Sequence, residues 1–388
     1  MFSLLLAIIY MAFVSLGLPD SLLGSAWPVM QEELGVSLSS VGLLTMLISA
    51  CTIVSSLFAD RVIHRFGTGV VTAVSVAVSA LALFGFSLSG SFPALFIWAV
   101  PYGLCAGAVD AALNNYVAVH YSSRQMSWLH ACWGVGVTVS PNIMSFCLAR
   151  QLGWKMGYRA VGVLQLALAV LMFATLSQWK KKTEEKGYEE VPTKVVSIPQ
   201  ALKIKGVPLV LISFFCFCAI ETTAGLWASS YMVGFRGVAA ETAASFTALF
   251  YLGETAGRFL NGVVADKFGD KMMIRVGAVG MLLGIGMILL PLPTDAAALC
   301  GLVVLGLGAA PVYPCIIHST PMNFGKENSQ SLVGIQMASA YCGSTFMPPV
   351  FGLLAQAVDV SLYPAFLGIF AVLLLVLTET VNRKLSKP

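Results

Sequence analysis

Four carboxylates, Asp20, Asp110, Glu221 and Glu254, stand inside long apolar stretches of this 388-residue chain. Each is flanked on both sides by enough apolar sequence to cross a bilayer. A charge at that depth is costly unless it faces a protein or water-filled interior. The four acids therefore predict a shared, wet central cavity. The use that such a cavity serves best is the movement of a solute.

The rest of the chain agrees with burial in lipid. It is 58% hydrophobic and 10% charged, where a soluble chain carries about a quarter charged residues. The short alternating segments of a transmembrane barrel are absent, so the expected class is an all-α membrane protein. At about 20 apolar residues per crossing, twelve spans are predicted: 3–30, 39–60, 68–89, 93–120, 126–149, 157–178, 207–234, 242–265, 271–291, 296–321, 329–356 and 360–381. The N-terminus starts apolar, has no basic n-region and outruns a signal sequence, so it reads as a retained first span.

One long polar stretch, 179–206, opens with Trp179-Lys180-Lys181-Lys182 and holds Glu184, Glu185, Glu189 and Glu190. It predicts a solvated linker, with a short interfacial helix around Ile198–Lys205, between six-helix bundles at 1–178 and 207–388. With both termini placed in the cytoplasm, the inner loops and C-terminus hold 17 Lys and Arg and the outer side 4, with Arg258 inside a span. That bias predicts a multi-pass cell-membrane protein with both termini cytoplasmic. The net charge of +4 is explained by this distribution and is no nucleic-acid signal. The nine cysteines all fall in apolar segments and read as small buried hydrophobes. Cys216 and Cys218 point in different directions on a helix and make a poor metal pair.

The two halves look duplicated. Ala59-Asp60-Arg61 ends the second span and Ala265-Asp266-Lys267 the eighth. Trp133 and Pro141 in the fifth span match Tyr341 and Pro349 in the eleventh. Asp20 in the first has an acidic counterpart, Glu221, in the seventh. The offsets are 206, 208 and 201 residues, nearly constant and in step with the span count, as a repeated six-helix unit requires. After the eighth span comes Gly262-Val-Val-Ala-Asp266-Lys267-Phe-Gly269-Asp270-Lys271. There the Gly lets two helices approach, the Asp caps a helix end and the basic group balances surface charge. In the first half Ser56 replaces that Gly, and Asp60 and Gly67 are separated by four extra residues.

This motif, the 6+6 division and the central linker resemble the major facilitator superfamily. Within it, the chain resembles the fucose-permease group of sugar:proton symporters. The residues that carry this are Gly17-Leu-Pro19-Asp20 with Gly24 and Pro28, Leu129-His130 with Gly134, Gly136 and Pro141, Glu221 with Trp227 and Tyr231, and Gly253-Glu254 with Gly257-Arg258. The resemblance implies a twelve-helix carrier of two pseudo-symmetric bundles that rock about a midplane site. It also implies a proton-coupling acid in the first span, at Asp20, and an acid in the fourth, at Asp110, that handles substrate or protons.

The residues allow the following roles. Asp20, beside Pro19, is either a protonatable coupling site or a hydrogen-bond partner for a loosened helix. Asp110 and Asn114 share a helix face at i,i+4, next to Asn115, and suit either sugar hydroxyls or polar contacts between helices. Glu221 and Trp227 suit a sugar, the acid taking hydroxyls and the indole covering the C–H face, although Trp227 could equally anchor at the interface. Glu254 and Arg258 are spaced for an ion pair, used for gating or for structure. Asp60, Arg61, Asp266 and Lys267 are gating candidates. His130 could relay protons or be structural. Trp133, Tyr313, Gln336 and Tyr341 are further cavity candidates, with Asn142 and Gln165 weaker. His64, His120 and His318 lie toward span ends and are set aside.

No phosphate loop, zincin motif or nucleophile elbow is present, so neither ATP hydrolysis nor an intramembrane enzyme is expected. No metal or cofactor is implied. The expected partners are protons, a small sugar-like solute and the lipid bilayer, with the chain a monomer. The rival reading is proton-coupled efflux of drugs or metabolites, with Phe214, Phe215 and Phe217 lining an apolar pocket.

Overall fold

A computed structural model describes residues 4–36, 40–179, 195–238, 240–290 and 295–385. Most of the charged linker, including Lys180, Lys181, Lys182, Glu184, Glu185, Glu189 and Glu190, lies outside these residues, as do the side chains of Pro28 and Pro141.

The described residues form helices and no strands. In the first half these are α1 (Leu4–Asp20), α2 (Leu22–Leu34), α3 (Val41–Phe66), α4 (Thr68–Leu88), α5 (Phe92–His120), α6 (Ser123–Ala149) and α7 (Gly153–Ala174). A short helix α8 (Ile198–Ala201) stands where the interfacial helix is predicted. It begins with the Ser197 N–H donating to the Gln200 side chain at 2.9 Å. Then come α9 (Val207–Gly234), α10 (Ala240–Phe268), α11 (Asp270–Leu289), α12 (Ala296–Ala309), α13 (Val312–His318), α14 (Thr320–Phe324), α15 (Lys326–Ala357) and α16 (Tyr363–Leu385).

Nine spans among the described residues are long and apolar enough to cross a membrane, and α1 is a shorter apolar helix. α10 and α15, of 29 and 32 residues, also have the length. The exposed side chains of α3 include Leu43, Met46, Val54 and Phe58. Such an apolar outer face is what lipid contact demands of a helix.

Two predicted spans are broken. The first divides at Ser21, just after Pro19, whose ring removes a backbone donor. The Ser21 hydroxyl donates to the Val137 carbonyl at 2.7 Å and lies 2.8 Å from the Ser140 hydroxyl, so α6 satisfies the break. The tenth divides at Pro311 and again before Thr320-Pro321. The cysteines also depart from expectation. Cys147, Cys216, Cys218 and Cys315 are buried, but Cys51, Cys105, Cys132 and Cys342 are half-buried and Cys300 is exposed. An apolar stretch of sequence around a cysteine therefore does not by itself require the thiol to pack against protein.

The helices pack into two compact units: residues 1–116, 129–195 and 326–337 in one, and 117–128, 196–325 and 338–388 in the other. In the first unit, Leu18, Leu22 and Trp27 from the broken helix pack with Leu44, Leu83, Phe86, Leu95, Met144, Trp154 and Tyr158. Glu33, at the end of α2, accepts from the Trp154 indole at 2.6 Å and pairs with Lys155 at 2.5 Å. The hydrogen bond from Lys155 holds the Glu33 carboxyl below the ordinary carboxylate range. Its contribution to stability is therefore present at neutral pH and is lost as pH falls through the lowered value. In the second unit, the Tyr363 ring packs tilted against Tyr231 and edge-on against Phe351, and its hydroxyl donates to the Ala224 carbonyl at 3.0 Å.

The duplication is visible in the backbone. Gly67 (φ 80°, ψ 152°) joins α3 to α4, and Gly269 (φ 77°, ψ 158°) joins α10 to α11. This left-handed geometry favours glycine at both motif ends.

Helices α1 and α6 meet backbone to backbone. A Cβ at Gly17 would lie 2.3 Å from the Trp133 carbonyl oxygen, and one at Gly136 would lie 2.3 Å from that of Val14. Gly136→Ala is expected to cost about 1–3 kcal/mol by overpacking, read as a lowered Tm of the detergent-purified protein. Gly42→Ala, with nothing within 4 Å of the added Cβ, serves as the control. Equal melting of the two variants would contradict the close crossing.

Candidate functional site

Residues Tyr102 and Asp110 lie eight apart on α5, and His130 and Trp133 three apart on α6. Each pair occupies one helix face. Those faces build two polar clusters in the first unit. In the first, each oxygen of Asp20 has its own donor: the Tyr102 hydroxyl at 2.7 Å on one and the Trp133 indole N–H at 2.8 Å on the other. Tyr102 is buried, while Asp20 itself stays exposed. The carboxylate thus accepts one bond from α5 and one from α6.

The second cluster is buried. The Asn114 amide donates to the Asp110 carboxylate at 2.7 Å and to the Asp110 backbone carbonyl at 2.9 Å. The Asn114 side-chain oxygen lies 2.9 Å from Nε2 of His130. The predicted i,i+4 pair is thus formed, and His130 joins it. Phe13 of α1 closes edge-on over the His130 ring at 5.4 Å. Asn115 turns away from this cluster. It donates to the Gln330 side chain at 2.7 Å and accepts from the Ser329 hydroxyl at 2.6 Å, both on α15. Gln336, on the same helix, is buried in the first unit.

In the second unit, Arg258 bridges two acids. Its guanidinium donates to Glu254 at 2.6 Å, one helical turn away, and to Glu221 of α9 at 2.9 Å. Glu254 and Arg258 are buried, while the Glu221 side chain is 21% exposed. Glu221 is therefore the part of this cluster open to the outside. Tyr313 packs on Phe214 at 4.6 Å and on Phe217 at 6.0 Å. Trp227 sits apart from the acids. Its indole donates to the Pro348 carbonyl at 3.0 Å and its ring meets Phe351 edge-on at 5.3 Å. Tyr341 is half-buried on α15, Gln165 donates to the Ser79 hydroxyl at 3.2 Å, and Asn142 donates to the Thr138 carbonyl at 2.7 Å.

The motif residues take partners from segments distant in the chain. Asp266 accepts the backbone N–H of Arg124 at 3.0 Å and pairs with its side chain at 3.3 Å, so it caps the start of α6. The face of α10 at Gly262 lies against the Trp128 indole, which occupies the space that a Cβ would need. Asp60 accepts from the Ser331 hydroxyl of α15. Arg61 lies over the Phe58 ring and Lys267 over Phe268. His318, set aside on sequence, pairs with Asp270 at 2.6 Å and lies 3.0 Å from the Tyr121 carbonyl. The residue that sequence reasoning missed at Asp20 is Tyr102. Its available signal was the eight-residue spacing from Asp110 on one face of an intramembrane helix.

The sequence profile of the Major Facilitator Superfamily matches residues 9–246 and again 209–387. The chain belongs to that superfamily. An uncharacterized transporter, y4wD, of Sinorhizobium fredii is 24% identical over 377 residues, 92% of each chain. A hexuronate transporter of Bacillus subtilis is 24% identical over 275 residues, 68% of this chain and 65% of that one. The quinolone resistance protein NorA of Staphylococcus aureus is 24% identical over 232 residues, 58% of each. The structure of the superfamily transporter FucP in its outward conformation superposes with a TM-score of 0.79 at 12% identity, covering 97% of this chain and 98% of that one. At such identity the likeness speaks for the fold: an all-α membrane protein with twelve spanning helices in two similar six-helix bundles.

The Asp110–Asn114–His130 cluster has a direct test. Asn114→Leu keeps the volume class but removes two hydrogen bonds to Asp110 and one to His130. Leaving buried polar groups without those bonds is expected to cost about 1–3 kcal/mol, seen as a lower Tm. An unchanged Tm would show that the amide does not bind its neighbours.

Proposed function

We propose that this superfamily member is a proton-coupled symporter of a monosaccharide or a similar small polar solute. It resides in the cell membrane as a monomer with both termini cytoplasmic, and it works by alternating access. It is a carrier, with no chemistry performed on the solute. The observation that carries this reading is the setting of Asp20: an exposed carboxylate in an apolar helix, each oxygen held by one neutral donor from α5 or α6. Protonation gives Asp20 an O–H to donate and weakens it as an acceptor. The Tyr102 hydroxyl can rotate and accept, whereas the Trp133 N–H is fixed to its ring and can only donate. The proton therefore changes how Asp20 is bonded to α5 and α6, which is what coupling requires of an acid.

In this reading Asp110, Asn114 and His130 in the first unit, and Glu221 in the second, each offer donors and acceptors of the kind that sugar hydroxyls need. Asn115, Trp133, Tyr313, Gln336 and Trp227 are the further substrate-binding candidates. Asp60, Arg61, Asp266 and Lys267 hold the helix ends that must part and rejoin during gating. The hexuronate transporter among the relatives and the fucose:proton symporter FucP, which shares the fold, favour a hydroxylated solute. The rival reading, drug efflux, draws on NorA and on the Phe214–Phe217–Tyr313 aromatic group. Phe214 and Phe217 are fully buried, so they are packed core and offer little surface to a drug, while Phe215 is half-buried against Phe370.

Proteoliposomes carrying an internal pH dye test the proposal against a panel of pentoses, hexoses and a hexuronate, with cationic dyes as the efflux arm. The expected result is solute-dependent acidification for one panel member. Asp20→Asn should abolish accumulation against a gradient yet retain counterflow exchange, because exchange needs no net protonation. Full accumulation by Asp20→Asn would overturn the assignment of Asp20, and dye export without sugar uptake would favour efflux.

A further inference from the structure

The Glu221–Glu254–Arg258 cluster carries two acids and one base. Arg258 spans both carboxylates, at 2.9 and 2.6 Å. Among the described residues, no second cation lies within ion-pair distance of either acid. The titratable groups facing the cluster are phenols: Tyr251 of α10, Tyr313 of α13 and, beyond Tyr251, Tyr363 of α16. Phenols add no positive charge at neutral pH. Both carboxylates accept from the same guanidinium nitrogen, Nη2 of Arg258. Held there as two ions they repel each other and leave one negative charge unbalanced. With one proton between them the cluster is neutral, and the charge left uncompensated in a membrane interior disappears.

We propose that Glu221, Glu254 and Arg258 form a second proton-binding site, separate from Asp20, in which the two carboxyls share one proton. Glu221 is the entry point, since its side chain is 21% exposed while that of Glu254 is 4% exposed. The site gains a proton to become neutral and loses it through Glu221 to leave a net negative charge. The inference rests on side-chain geometry and takes from the transport reading only that this chain handles protons.

The test is infrared difference spectroscopy of the protein in lipid, in an Asp20→Asn background so that Asp20 contributes nothing. The protonated-carboxyl band is followed across a pH titration. The expected result is one band, shifted by deuterium oxide and lost at high pH. It disappears in both Glu221→Gln and Glu254→Gln, because in each the remaining glutamate pairs with Arg258 as a simple ion. A band that survives in either variant overturns the shared proton. Thermal melting guards against misfolding. Each single variant should fold with a Tm that no longer falls as pH rises through the wild-type titration. The double variant, which takes both carboxylates away from Arg258, should melt lower at every pH. Single variants that keep the wild-type pH dependence of Tm would likewise overturn the proposal. Neither readout requires transport. Loss of this site therefore leaves the accumulation result for Asp20→Asn untouched, and failure of that result leaves the infrared band in place.

Discussion

Every charged side chain inside this molecule must find its counterpart within the protein, because hydrocarbon supplies neither donors nor counter-ions. The pattern of partners follows from that constraint. Asp20 takes a phenol and an indole, Asp110 takes an amide, and Arg258 takes two glutamates. Each arrangement draws on at least two positions along the chain and fixes the rotation of the helices that supply them. Apolar residues facing lipid leave rotation poorly specified, since one apolar face resembles another. The polar contacts therefore do much of the work of orienting α1, α5, α6, α9 and α10.

The same contacts are suited to change. A carboxylate between neutral donors, or two carboxyls on one guanidinium, has two protonation states with different bonding requirements. A packed hydrophobic contact has one. The close crossing of α1 and α6, glycine to backbone, supplies the complementary property: two helices held near enough for a single hydrogen bond to matter. In the second unit, Asp266 and Asp270 tie α10 and α11 to the start of α6 through Arg124 and Ser123. In the first unit, Asp60 and Asn115 tie α3 and α5 to the start of α15. Asp60 and Asp266, at corresponding motif positions, thus each join a helix end to the start of a helix distant in the chain.

The sequence made local relations legible and left distant ones hidden. Asp110–Asn114 and Glu254–Arg258 were readable because i,i+4 spacing places both members on one helix face. The class of fold was readable because a bilayer imposes length and hydropathy on every span. Tyr102 as the partner of Asp20 was not, since 82 residues separate them and nothing local records how α5 rotates toward α1. The attachment of Glu221 to Arg258 was hidden for the same reason. Asn115 next to Asn114 looked equivalent to it, yet adjacent helical residues face about 100° apart, and Asn115 serves α15. The break at Ser21 was signalled by Pro19, but its repair by Val137 and Ser140 depends on packing that spacing does not encode.

A carrier of polar solutes needs its intramembrane acids to face water. The most direct measurement is labelling with a membrane-impermeant maleimide, in a Cys300→Ser background and in membranes of both orientations. Single cysteines would be placed at position 20, at position 221 and, as a lipid-facing comparison, at the exposed Phe58 position. The predicted result is reaction at 20 and 221 from at least one side, with none at 58. Positions 20 and 221 that react only with a lipid-soluble reagent, as position 58 would, contradict it.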